Sequence, residues 1–241
     1  MMIFRFMLLA VLLMSSKVLA ETYHFASIHS LTEQEVGRIV LPQLYNKLGI
    51  SISISPLPAK RAEFSSIKGN MDGEIMRIYS YGEANPSMLR VPTPYYYLET
   101  MPFLRAGHDL RIENVADLSE LSVARIWGVK HTLELTDGLK NAHDVDSTEK
   151  MMRLLMQGFV DVALTSKLNG LMTLQRHKWD SLEAYHKPLA RQPLYHYVHN
   201  SHASLLPRID QVIKDSKQSG ELQRMIANAE KLVLESAEKK H

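Results

Sequence analysis

The chain alternates short runs of β-forming residues with longer stretches whose apolar positions recur at helical spacing. Strands are predicted over residues 23–28, 50–55, 73–75, 122–127, 142–145 and 160–164. In the second of these Ile50, Ile52 and Ile54 alternate with Ser51, Ser53 and Ser55, so one face is apolar and the other polar, which suits a sheet edge. A helix is predicted over 37–47, where Pro42 costs a hydrogen bond and implies a kink or a later start. Asp146, with Glu149 three residues on, reads as a capping box that starts a helix at Ser147. Met151, Met152, Leu154 and Leu155 give that helix a buried face. Two further helices, over 205–218 and 221–236, meet at Gly220. Strands and helices in this order predict an α/β fold with mixed, mostly parallel sheets.

Two aromatic β-type segments interrupt the alternation, Pro94-Tyr95-Tyr96-Tyr97-Leu98 and Pro193-Leu194-Tyr195-His196-Tyr197-Val198. They bracket a block of about 90 residues, the size of an inserted second lobe that the chain enters and leaves once. Residues 21–98 and 191–241 then form one lobe and 99–190 the other. A cleft between lobes is a common place for a small-molecule site. The tyrosines of both segments are expected to pack mainly at the crossing, because alternate strand residues point to opposite faces.

The first 20 residues, with Arg5, an apolar stretch from Phe6 to Met14 and small residues ending at Ala20, read as an export signal cut after Ala20. The stretch is shorter than the roughly 18 residues of a membrane span, so no membrane insertion is expected after cleavage. Across all 241 residues there are 28 Lys plus Arg and 26 Asp plus Glu, and the leader's Arg5 and Lys17 account for the difference. A balanced surface without a basic run excludes nucleic acid as a partner. The absence of cysteine is compatible with export, since a chain of this length buries a sizeable core without disulfides. Glu21 rather than cysteine follows the leader, so a freely diffusing periplasmic monomer is expected rather than a lipid-anchored one.

A set of short motifs occurs in a telling order: Leu48-Gly49-Ile50, Pro58-Ala59-Lys60-Arg61-Ala62, Lys68-Gly69-Asn70-Met71-Asp72-Gly73 and Pro94-Tyr95-Tyr96. Then come Ile112-Glu113-Asn114-Val115-Ala116-Asp117-Leu118, Gly128-Val129-Lys130-His131-Thr132, Gly158-Phe159-Val160-Asp161-Val162-Ala163 and Gly220-Glu221-Leu222-Gln223-Arg224-Met225-Ile226. With these the chain resembles the family 3 extracytoplasmic solute-binding proteins, of the type II periplasmic binding protein fold used in polar amino acid uptake. The resemblance implies two lobes joined by two crossings, closing on a small-molecule ligand, and an inner-membrane ABC permease or a membrane sensor as partner. It also implies an Arg before the Pro-Tyr-Tyr segment and an acid after the Gly-x-x-Asp segment. Asn85 and Ser166 stand at those places, with Arg90 within a short slip of the first.

Other residues are therefore candidates for the ligand. Arg77 ends a strand, where α/β sheets place ligands, and its guanidinium can grip a carboxylate through two parallel hydrogen bonds. Arg61 opens a helix after Pro58; pairing with Glu63 or Glu74 is the competing role. Lys130, His131 and Thr132 lie between a strand and a helix predicted to start near Thr132, where unpaired N–H groups attract anions. Ser27, His29, Tyr79, Tyr81 and Ser166 complete the set. The solute is expected to be small and polar, anionic or amino-acid-like.

No cofactor and no metal is predicted. His196, His199 and His202 recur at a spacing that turns strand side chains to opposite faces, which argues against a shared ion. An enzyme on the same scaffold, such as a dehydratase or a lytic transglycosylase module, would need an acid like Glu35 or Glu74 with a placed partner. No G-x-S-x-G or H-E-x-x-H motif accompanies them.

Overall fold

Apolar residues at a spacing of two in the strands and of three to four in the helices assemble here into a mixed sheet with helices packed against it. The computed structural model describes residues 22–29 and 31–238. The export signal expected over 1–20, with its cleavage point, lies outside the described residues. The chain runs β1 (Thr22–Ile28), α1 (Thr32–Asn46), β2 (Ser51–Leu57), α2 (Ala59–Ile67), β3 (Gly73–Arg77), α3 (Ser80–Ala84), β4 (Met88–Arg90) and β5 (Tyr96–Arg105). It continues with β6 (Val123–Ile126), α4 (Lys130–Leu135), β7 (Ala142–Val145), α5 (Thr148–Met156), β8 (Val162–Ser166) and α6 (Lys167–His177). Last come β9 (Leu182–Ala184), β10 (Ala190–His199), α7 (Leu205–Gln218) and α8 (Glu221–Glu238).

The strand order is β2-β1-β3-β10-β5-β8-β6-β7, with β4 added to β10 and β9 to β5. Pairing is parallel in the two wings, where β1 joins β2 and β3 and β6 joins β7 and β8. It is antiparallel through the middle, where β5 and β10 cross. The first half of β10 pairs with β5, from Ala190 opposite Thr100 to Leu194 opposite Tyr96. After it the chain pairs with β3 and β4, with a register break between Tyr195 and Tyr197. One strand therefore hands the sheet from one wing to the other. The alternating Ile/Ser strand, β2, lies at an edge.

Each wing has its own apolar packing. Phe25, Val36, Val40, Ile75 and Ile209 are central to the first, and Met101, Phe103, Met151, Met152 and Leu155 to the second. Leu168, in the first turn of α6, leaves the second wing to join the core of the first. Helix α1 begins at Thr32, five residues before the predicted start, and runs through Pro42. Its buried face of Val36, Val40, Leu41 and Leu44 outweighs the roughly 3 kcal/mol that an interior proline costs. At α5 the cap is Ser147 and not Asp146: the Ser147 hydroxyl accepts from the Lys150 N–H, while Asp146 is exposed and pairs with the Lys150 ammonium at 3.3 Å. Among the described residues no helix is long and apolar enough to cross a membrane.

His196 lies wholly buried on β10, edge-on to Phe25. Its Nδ1 is 3.0 Å from the Glu74 carbonyl, which can only accept, so Nδ1 carries the proton and Nε2 accepts from the Tyr45 hydroxyl at 2.9 Å. Burial holds this imidazole down to about 4. The unfolded chain takes up a proton near pH 6.5 and the folded one does not until about pH 4, so stability falls as pH drops through that window. Urea unfolding at pH 7, 5.5 and 4.5 is expected to show a decline whose slope is smaller in His196→Gln; equal slopes would contradict it. Gly170 makes a second prediction, because a Cβ there would lie 2.0 Å from Cζ of the buried Phe103. Gly170→Ala should lower the melting temperature and cost about 1–3 kcal/mol by overpacking, although alanine is the better helix former.

Candidate functional site

Strands β1 and β3 are parallel neighbours, so their C-terminal ends open on the same side of the sheet, beside the crossing strands. A cavity of about 220 Å³ lies there, lined by Ile28, Met76 and Arg77 at the strand ends, Glu33 and Gln34 of α1, and Leu98 and Leu194 of the crossing. Gln34 ties the two strand ends together. Its Oε1 accepts from the Ile28 N–H and its Nε2 donates to the Met76 carbonyl at 3.4 Å. Met76 has a φ of 46°, in the left-handed region that few side chains adopt, and this turns the end of β3 toward the cavity.

Arg77 lines the cavity but also serves Glu74, whose carboxylate has no exposed surface. The Arg77 Nη1 is 2.9 Å from Glu74 Oε2, and the Tyr81 hydroxyl donates to the other oxygen. The guanidinium also sits 4.0 Å over the Tyr81 ring. Burial pushes the Glu74 carboxyl up, and the Arg77 charge and the Tyr81 hydrogen bond oppose that shift. Glu74 thus pairs with Arg77 and not with Arg61, which is exposed on α2. Tyr81 is itself buried, its hydroxyl engaged by Glu74.

In the other wing α4 starts at Lys130, two residues before the predicted Thr132. Thr132 is buried and its hydroxyl donates to the Val129 carbonyl at 3.0 Å, so it does not cap the helix N–H groups as a cap residue would. Lys130 is exposed and pairs with Glu134 at 3.6 Å. His131 is held by Thr100, Nδ1 to Oγ1 at 2.8 Å, and burial lowers its imidazole to about 4, so it is neutral near pH 7. A second cavity of about 320 Å³ lies against His131, Thr100 and the first residues of β10. Thr100 is in turn the cross-strand partner of Ser166. Ser166 caps α6, accepting from the Asn169 N–H at 3.4 Å, and its hydroxyl also faces Glu33 of the first wing.

The candidates therefore form two groups, Arg77 with Tyr81 around Glu74, and His131 with Ser166 through Thr100. His29 is exposed at the end of β1 and Arg61 and Lys130 stand apart from both groups. Glu33 and Gln34 were not anticipated, because the helix that carries them was expected to begin at Gly37; the acidic residues after a strand end were the available signal. The three histidines considered for a metal have separate partners: His196 bonds Tyr45, His199 bonds Ser201 and His202 bonds Asp72. Among the described residues no three His, Asp or Glu side chains gather as a metal set.

No protein-family model matches the chain, and no curated protein sequence matches it. Solved structures do. The L-cystine solute receptor of Neisseria gonorrhoeae, unliganded and open, is 14% identical with a TM-score of 0.67, covering 85% of this chain and 90% of its own. The fold is that of the periplasmic solute-binding proteins. An ancestral cationic amino acid solute binding protein gives a TM-score of 0.65 at 13% identity, over 86% of this chain and 94% of that one. A histidine kinase sensor domain with similarity to periplasmic binding proteins gives 0.58 at 16% identity, over 86% and 95%. In such a fold the strand-end cavity lies beside the strands that join the wings.

Since Arg77 neutralises a buried carboxylate, Arg77→Ala is expected to destabilise the protein by about 3 kcal/mol, not merely to empty the cavity. Arg77→Ala with Glu74→Gln should recover part of that loss in a double-mutant cycle of urea unfolding. Strictly additive effects would show that the pair is not coupled.

Proposed function

We propose that the protein is an extracytoplasmic solute-binding protein of the family 3 type, which captures a small, polar, amino-acid-like solute and releases it unchanged. A signal peptide over residues 1–20 exports it; residues 21–98 with 191–241 form one lobe and 99–190 the other. The observation that carries this reading is the strand-end cavity beside β5 and β10, in a fold shared over 85% of the chain with an amino acid solute receptor.

Arg77 presents what is left of its guanidinium to a solute carboxylate from the first lobe. Its pairing with Glu74 leaves it only partly available, which supports a solute carrying both charges over a purely anionic one. His131 and Ser166 come from the second lobe, His131 as a neutral hydrogen-bonding group and Ser166 through its hydroxyl. Arg61, His29 and Lys130, all exposed, line neither cavity and are left out of the site, while Tyr81 and Thr132 position their neighbours. Closure of the lobes excludes water and strengthens each charged hydrogen bond, and the solute shifts the balance by its preference for the closed form.

An inner-membrane ABC permease is the recipient that fits the solute-receptor likeness. The likeness to a histidine kinase sensor domain supports a second recipient, a membrane sensor that reads the closed form. The monomer works without a cofactor in either case.

Mass spectrometry of small molecules that copurify with the exported protein, followed by a thermal-shift screen, tests the reading. The screen holds L-arginine, L-lysine, L-glutamine, L-cystine, dicarboxylates and polyamines. A true solute at a hundred times its Kd should raise the melting temperature by roughly 5–10 °C and be recovered intact. Turnover of the solute, or no stabilisation by any of them, would overturn it.

A further inference from the structure

Helix α2 turns Ala62 and Ser66 inward, Ala62 against Ala26 and Ile28, and the Ser66 hydroxyl onto the Gly73 carbonyl at 3.2 Å. At 3.6 residues per turn, Lys60, Arg61, Phe64 and Lys68 then fall within an arc of about 100° opposite that buried face. All four are exposed, Phe64 by 60%. Among the described residues no carboxylate lies within ion-pair distance of the three cations. The acids nearest in sequence are turned elsewhere. Glu63 is half-buried and accepts from the Asn85 amide at 3.4 Å, and Asp72 is held by the His24 N–H at 2.7 Å and by His202 at 2.8 Å. Lys60 and Arg61 also stand at the start of the helix, where its dipole favours acids, and no acid occupies that turn. A wet aromatic ring among unpaired cations is not what stability alone selects in a chain whose acids and bases nearly balance.

We infer that this face of α2 docks on an anionic lipid surface, its three cations meeting the headgroup phosphates and Phe64 entering between them. The docking is separate from solute capture and does not depend on it. Four side chains of one nine-residue helix are too few for a stable protein interface, which takes roughly 800 Å² from each partner. A bilayer needs no matching shape: it moulds to a convex helix, and its interface takes up aromatic rings beside basic residues. Each cation near such a surface adds about fivefold to the partitioning, an effect that fades within a Debye length. With three cations and one ring the attachment is peripheral, weak and reversible. It concentrates the protein at the membrane that houses the proposed permease or sensor and still lets it exchange.

Co-sedimentation of the exported protein with vesicles tests the inference, using phosphatidylcholine alone and phosphatidylcholine with about 30% phosphatidylglycerol. The protein should pellet with the anionic vesicles only, and raising the salt from about 20 mM to about 500 mM should release it. Lys60→Gln, Arg61→Gln and Lys68→Gln combined should weaken binding on the order of 100-fold. Phe64→Ser should weaken it roughly fivefold and leave the salt dependence unchanged. Both variants should melt close to the wild type, because every altered side chain is exposed. The same loss of charge at three exposed lysines elsewhere, Lys140, Lys178 and Lys231, should leave binding intact. No pelleting with anionic vesicles, undiminished pelleting of the α2 triple variant, or an equal loss in the distant one would overturn the inference. Retention on poly-L-glutamate in place of the vesicles would assign the patch to an acidic protein partner and overturn lipid docking.

Discussion

A carboxylate with no exposed surface, that of Glu74, organises the centre of this protein. A charge in that position is tolerated only if hydrogen bonds and a counter-ion meet it, and Arg77 and Tyr81 do so from the same stretch of chain. The Glu74 carbonyl meanwhile receives His196, which in turn is bonded to Tyr45 of α1. Through these contacts β3, β10, α1 and α3 share one polar network inside an otherwise apolar wing. The end of β3 is thereby held in place, and the cavity that depends on that end inherits its rigidity.

The crossing strands add a different constraint. β10 pairs with β5 over its first half and with β3 and β4 beyond it, so neither wing can shift without loading this strand. Leu98 and Leu194 of the crossing face the cavity, whereas Tyr97 and Arg191 stack with each other away from it. The aromatic segments therefore do more than fill space: alternate residues serve the cavity and the outer surface of the crossing.

The alternation of hydrophobic and polar positions carried the element order, the edge placement of the Ile/Ser strand and the strand-end position of Arg77. Such features are local: period two or period three to four is visible within a few residues. Helix starts were less legible. α1 begins where Leu31 leaves extended backbone without any side-chain cap, and α5 takes Ser147 instead of the more conspicuous Asp146. Neither choice can be made from a window of a few residues, because it depends on which groups the rest of the chain buries.

The sequence by itself therefore determined an α/β chain of alternating elements, two aromatic crossings and a basic residue at a strand end. Only the tertiary structure decided what those residues do. It gave Arg77 to a buried Glu74, turned His131 into a neutral partner of Thr100, and set the Ser166 hydroxyl against the Glu33 carboxyl. Desolvation is the physical reason. Whether a charge is idle, paired or waiting for a ligand depends on the water removed from around it, and that is set by segments as far apart as α1 and β8.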